Sequence, residues 1–214
     1  MEPTFWENRW REGKTAFHEG AVNFHLERHF PVLKLGRGAH VFVPLCGKSV
    51  DIDWLLAQGC RVSGSELSAE AVEAVFARLD VTPEIRDVRG LRCYSSHGLD
   101  LWQGDFFALR SADLGPADAV YDRAALVAMP PRMRGGYADH LRRLCNGLPQ
   151  LLVTYDYDQA LMEGPPFAVP EADIRALYQD PYEITPLSSV DIYGPLADRC
   201  SGKEQSWFLR PAIT

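Results

Sequence analysis

Between residues 40 and 66 the chain runs from a short apolar stretch through a small-residue turn and an amphipathic segment into a second apolar stretch ending in an acid. The first stretch is His40-Val-Phe-Val-Pro44, the turn Leu45-Cys-Gly-Lys-Ser49, and the second, after Gly59, is Cys60-Arg-Val-Ser-Gly-Ser-Glu66. Strand, turn, helix, strand is a βαβ unit, and parallel strands joined this way belong to a sheet with its crossover helix packed on one face. A carboxylate about twenty residues past the turn, at the tip of the second strand, is where such units hold a ribose diol. The unit therefore predicts an adenosine-bearing ligand with Glu66 on its ribose.

The rest of the chain extends this pattern. Residues 23–30 read as a helix limited by Pro31, and Ser68 is a good N-cap for a helix through Leu79 with Ala71, Val72, Val75 and Phe76 on its apolar face. Residues 92–95 and 99–103 read as a hairpin across His97-Gly98, and residues 117–121 as a buried strand leading into Asp122-Arg123. Pro130-Pro131 marks a helix near 132–144, followed by a strand at 151–155. The proline-rich final third holds one helix, about 171–179, and two strands, about 182–190 and 205–210. Alternating elements with a two-strand antiparallel finish predict an α/β fold, a twisted and mostly parallel sheet with helices on both faces. No stretch reads as a linker, so residues 1–214 are expected to form a single domain. Residues 1–30, which carry Trp6 and Trp10 four apart on one helical face, are expected to be a helical lid.

Bulk properties narrow the partners. A net charge of −7 with scattered basic residues disfavours a nucleic-acid footprint. No apolar run approaches the roughly 20 residues of a membrane helix, and the N-terminus lacks a secretory pattern. The five cysteines are an odd number without a C-x-x-C pair, which points to a reducing, cytoplasmic setting and away from a disulfide framework or zinc site. A monomer acting on a small molecule, with no metal, is expected.

Nucleotide hydrolysis is a poor fit. A P-loop would need glycine at position 42 before Gly47-Lys48-Ser49, and Phe42 stands there; before Gly13-Lys14-Thr15 it would need glycine where Asn8 stands. There is no G-x-G-x-x-G for a dinucleotide pyrophosphate either. A turn without phosphate chemistry suits a ligand without phosphates. Along the same sheet edge, Asp105 follows the hairpin and could meet an adenine while Phe106 packs on the ring. Arg123, at the end of the fourth buried strand, could pair with a carboxylate or polarise an acceptor, the bland alternative being an ion pair with its neighbour Asp122. Cys46 reads as structural, and His25 and His29 lack the acid placement of H-E-x-x-H.

Several stretches together resemble a known family. Phe5-Trp-Glu-Asn-Arg-Trp10-Arg-Glu-Gly-Lys-Thr-Ala-Phe17-His18, Pro44-Leu-Cys-Gly-Lys-Ser49, Gly104-Asp-Phe-Phe107, Tyr121-Asp-Arg-Ala-Ala-Leu126 and Gly164-Pro-Pro-Phe167 are, in that order, similar to the thiopurine S-methyltransferases in their shorter bacterial form. The resemblance implies a class I, Rossmann-like methyltransferase fold and S-adenosylmethionine as methyl donor. It places Trp10, Leu45, Glu66 and Arg123 on the donor, the stretch from Trp6 to Phe17 over it, and Phe106 at the adenine. Phe17 and Arg123 would lie nearest the acceptor, a thiopurine or related aromatic thiol. Lys203 stands where the family can carry a second arginine before Ser206-Trp207. The alternatives are a methyltransferase of the same fold for another small acceptor, such as a selenium or tellurium compound, or a non-catalytic protein that binds adenosine ligands.

Overall fold

The structure, a computed structural model, describes residues 6, 8, 12 and 20–212. Among the elements described along their length, the first helix, α1 (Phe24–His29), starts where the Asn23 side chain accepts a hydrogen bond from the His25 amide, and it passes into a 3-10 turn at Phe30–Leu33 that takes in Pro31. β1 (His40–Val43) is buried along its whole length, as a strand covered on both faces must be. α2 (Asp51–Ala57) crosses to β2 (Arg61–Glu66), and α3 (Ala69–Arg78) begins with Ser68 accepting from the Ala71 amide. β3 (Glu84–Val88), β4 (Leu91–Ser96) and β5 (Leu99–Gln103) form an antiparallel meander. Its second turn has positive φ at both His97 (35°) and Gly98 (85°), the handedness that matches the twist of a two-residue hairpin. A short helix, α4 (Ser111–Leu114), leads to β6 (Ala119–Asp122), then α5 (Pro131–Leu144), β7 (Gln150–Tyr157) and α6 (Glu171–Tyr178). β8 (Tyr182–Asp191) and β9 (Gly202–Pro211) finish the sheet as an antiparallel pair.

The strand order is β3-β4-β5-β2-β1-β6-β7-β9-β8. The five central strands are parallel, and both flanks are antiparallel. Side-chain alternation sorts the core into two layers. Val41, Val43, Ala119, Tyr121, Leu151 and Val153 pack with Leu26, Ile52 and Val72 of α1 to α3. Phe42, Val120 and Leu152 pack with Tyr137, Leu141 and Ile174 of α5 and α6. The expected α/β layering with helices on both faces is present, and the chain reverses its direction of winding between β1 and β6.

The structure departs from the sequence reading at β3, at β7, at the unassigned helix α4 and at β9, which starts three residues earlier than expected. β3 lies in a stretch between Leu79 and Arg92 that the sequence reading assigned to no element, and Glu84-Ile-Arg-Asp-Val88 pairs with β4 along its full length. Four of its five side chains are exposed, so no alternating pattern marked it. The strand expected at 151–155 runs three residues further in total, because β9 supplies partners from Gln150 to Tyr157.

Candidate active site

A cavity of about 360 Å³ opens at the carboxyl ends of β1, β2 and β6, where the winding reverses. That is the position at which open α/β sheets bind ligands. Its floor is the turn after β1. Leu45 and Gly47 both take positive φ there (45° and 54°), and the turn folds back on β2: Leu45 N donates to Ser65 Oγ at 3.1 Å and Cys46 N to the Ser65 carbonyl at 2.8 Å. The close approach needs Gly64, since a Cβ there would meet Cys46 Sγ and Leu101 Cδ2 at 2.8 Å.

Glu66 closes the β2 side. Its Oε2 accepts from Gly47 N at 2.9 Å and its Oε1 from Ser68 N at 2.8 Å, so the carboxylate is fixed between two backbone donors with lone pairs to spare. It is 6% exposed, and burial raises its pKa above the usual carboxylate value against the pull of those amides. Beside it the Cys46 thiol is pushed far up by burial and by Glu66, so it stays protonated, which suits a structural role.

At the end of β6 the alternation sends Tyr121 and Asp122 to opposite faces. Tyr121 OH donates to Asp51 Oδ2 at 2.9 Å. Asp122 is fully buried; it accepts from Leu126 N at 3.1 Å and Tyr137 OH at 2.8 Å. Asp122 is therefore committed to the loop behind it, and burial lifts its pKa to about 6. This bracing, with Ala124 in the left-handed region (φ 63°), holds Arg123 at the cavity wall, where it is 8% exposed.

The far wall comes from late in the chain. Pro165 and Pro166 line the cavity, held by Phe167 N on the Val127 carbonyl (2.7 Å) and by Tyr157 OH on the Pro166 carbonyl (2.6 Å). Gly164 is required there, because a Cβ would run into the Phe167 ring at 2.5 Å. Behind this loop the buried Arg134 donates to the carbonyls of Met129 (3.2 Å) and Ala168 (2.7 Å) and pairs with Asp173. Tyr155, Glu204 and the Tyr193–Leu196 loop with Arg199 complete the rim.

The structure thus brings Trp6, Leu45, Glu66 and Arg123 together at one cavity. Trp10 and Phe17 lie outside the described residues. Asp105 and Phe106 do not line the cavity: exposed Asp105 caps the 3-10 turn Phe106–Ala108 by accepting from Phe107 N at 3.0 Å, and Phe106 packs against Tyr137 and His140 with ring centroids at 5.2 and 4.8 Å. Lys203 points away, paired with Asp191 at 2.6 Å. The sequence reading missed Asp51, Tyr121 and Glu204 as wall residues, and Asn23 as the residue hydrogen-bonded to two of them; only Tyr121 carried a signal, its place beside Asp122-Arg123 at a strand end.

Among the described residues no helix is long and apolar enough to cross a membrane. Solved structures share the architecture. Magnesium protoporphyrin IX methyltransferase from Synechocystis, with bound SAH, superposes with a TM-score of 0.66 at 17% identity, covering 98% of this chain and 100% of that one. A 1,6-didemethyltoxoflavin-N1-methyltransferase from Burkholderia thailandensis gives 0.62 at 16%, covering 97% and 87%. At that identity they establish the class I methyltransferase fold. Sequence relatives go further. The thiopurine S-methyltransferase of Xanthobacter autotrophicus is 49% identical over 213 residues, covering 99% of this chain and 100% of its own length. That of Gluconobacter oxydans is 47% identical over 207 residues, covering 97% and 94%. The family model described as Thiopurine S-methyltransferase (TPMT) matches residues 1–207. A switch-point cavity with a pinned strand-end carboxylate, on a class I fold with full-length relatives, makes this chain a methyltransferase of the thiopurine S-methyltransferase family, with S-adenosylmethionine as its methyl donor.

Proposed function

We propose that the chain transfers a methyl group from S-adenosylmethionine to the sulfur of thiopurines and related aromatic thiols. The observation that carries the donor half is Glu66: a buried carboxylate at the cavity wall, oriented by two backbone amides and able to accept both ribose hydroxyls. Leu45, in its left-handed conformation, and Trp6 give apolar contact beside it. Leu67 also lines the cavity, and the Gln103 amide donates to its carbonyl at 2.9 Å, tying the end of β5 to this wall. An adenine seated there has Asp105 and Phe106 next along the chain, and Trp10 and Phe17 complete the proposed site from the N-terminal segment.

The donor supplies a methyl group on a sulfonium, which leaves as a neutral thioether while the new carbon–sulfur bond forms at the acceptor. What the chain must do is align the two sulfurs, exclude water and steady the acceptor's charge. An aromatic thiol ionises readily, so no strong general base is required. Arg123 is the catalytic residue in this reading: its guanidinium faces the cavity from a loop that Asp122 braces and stabilises the thiolate. Support for a thiopurine acceptor comes from the names of the relatives. The test is kcat/KM across 6-mercaptopurine, thiophenol, an aliphatic thiol and a methylatable selenium compound. The proposal expects the two aromatic thiols to lead by at least about tenfold. An aliphatic thiol or selenium acceptor in front would replace it.

A further inference from the structure

We infer that Asn23 is a positioning residue for donor binding, the tie that fastens the covering strip at residues 20–22 to the cavity wall. The inference rests on the proposed donor site and concerns how that site is kept closed.

Gly20, Ala21 and Val22 line the cavity, and Asn23 follows directly, fully buried. Its polar groups reach three separate parts of the fold. The backbone amide donates to Asp51 Oδ1 at 2.8 Å, at the first residue of α2. The side-chain amide donates to Glu204 Oε1 at 3.1 Å, on β9. The side-chain carbonyl accepts from His25 N at 3.0 Å, capping α1. Asp51 in turn accepts from Tyr121 OH, and Asp51, Tyr121 and Glu204 all line the same cavity. Asn23 thus joins the covering strip to the helix after the first turn, to β9 and, through Asp51, to β6.

Helix capping alone does not account for this. Serine caps as well as asparagine does, but its hydroxyl cannot accept from His25 N and also reach Glu204. Asparagine accepts at Oδ1 and donates at Nδ2, two atoms on a longer side chain, whereas serine has one oxygen on a shorter stem for both. A neutral donor on a buried carboxylate is a charge-assisted bond, the stronger kind. With it gone, the strip at 20–22 keeps, among the described residues, the backbone tie from Asn23 to Asp51 and the packing of Val22 on the core.

The test separates the cap from the tie. Asn23→Ser keeps the N-cap and the backbone bond to Asp51 but drops the bond to Glu204, whereas Asn23→Ala drops cap and bond. Donor affinity is read by calorimetry with S-adenosylmethionine, thiol KM by turnover of 6-mercaptopurine, and local opening by hydrogen exchange at the amides of residues 21 and 22. Wild-type protein binding no S-adenosylmethionine would fail the proposed function itself, before any variant is compared. Asn23→Ser is expected to raise the donor Kd by about 5- to 20-fold, part of what one hydrogen bond to a charged group contributes. It should also speed exchange at 21 and 22 and leave thiol KM nearly unchanged, with the melting temperature lowered by loss of the bond to Glu204 and lowered further in Asn23→Ala, which loses the cap as well. Glu204→Gln, which keeps an acceptor but removes the charge, serves if Asn23→Ser does not fold and should weaken donor binding by about two- to fivefold. An unchanged donor Kd in these variants overturns the inference. So does a loss in which donor and thiol constants move together with melting temperature.

Discussion

Glu66 and Asp122 are both buried carboxylates with raised pKa values, but one faces the cavity and the other the fold. The spare lone pairs of Glu66 serve hydroxyl donors only when the group is ionised, so donor affinity should fall as pH drops through its raised pKa. Replacing Glu66 by Ala should raise the donor Kd by about tenfold or more, from two lost charged hydrogen bonds, with kcat at saturating donor affected much less. Calorimetry and steady-state kinetics on one preparation would check both. Asp122 answers to the fold instead. Its pKa rises from 3.8 to about 6 on folding, so the native state holds this proton more tightly than the unfolded chain. The stability this contributes is full below about pH 4 and is lost as pH climbs through 6, by about 3 kcal/mol for a shift of this size. Asp122→Asn should therefore flatten the stability difference between pH 4 and pH 6.5 in urea melts, and it should lower kcat through the loosened Arg123 loop. Arg123→Lys keeps the charge but not the planar fork. In that variant kcat/KM for the thiol should drop by about tenfold or more, and donor affinity, where Arg123 is also expected to contribute, should fall less because the charge is kept.

Among the elements, the turn after β1 shows how far the sequence could be read. Strand, turn, helix and strand from His40 to Glu66 were legible because each carries a local signature: a short apolar run, a glycine stop, a terminal acid. The same holds for the hairpin at His97-Gly98, whose two residues tolerate positive φ. β3 was not legible, since its strand state depends on β4 and its side chains face solvent. The cavity's polar wall was harder still. Asn23 meets Asp51 and Glu204 at sequence separations of 28 and 181, and no local pattern reports a contact of that kind. Gly64 carries the element-scale prediction. Gly64→Ala should cost about 1–3 kcal/mol by overpacking, because Cys46 and Leu101 already occupy the space of the new Cβ. Donor affinity should fall with it, because the turn that positions Leu45 and the Gly47 amide must shift outward. A thermal melt and a donor titration would show both losses. A variant as stable as the wild type would mean that the turn is not held against β2.

At the scale of the whole molecule, two layers of helix share one nine-stranded sheet, and the core of each layer uses alternate residues of the same strands. Neither layer can lose its partner without exposing the other side of β1, β6 and β7. We therefore expect residues 1–214 to unfold as one domain in a single cooperative transition, with fluorescence and circular dichroism traces that superimpose; two separated transitions would contradict it. The measurement that reaches the account's central claim most directly is methyl transfer from S-adenosylmethionine labelled with deuterium in its methyl group to 6-mercaptopurine, followed by mass spectrometry. The account predicts a labelled methyl on the purine sulfur and an equal amount of S-adenosylhomocysteine, with both lost together in Arg123→Ala. Donor binding without any labelled thioether would contradict the assigned acceptor, and absence of donor binding would contradict the reading of the cavity itself.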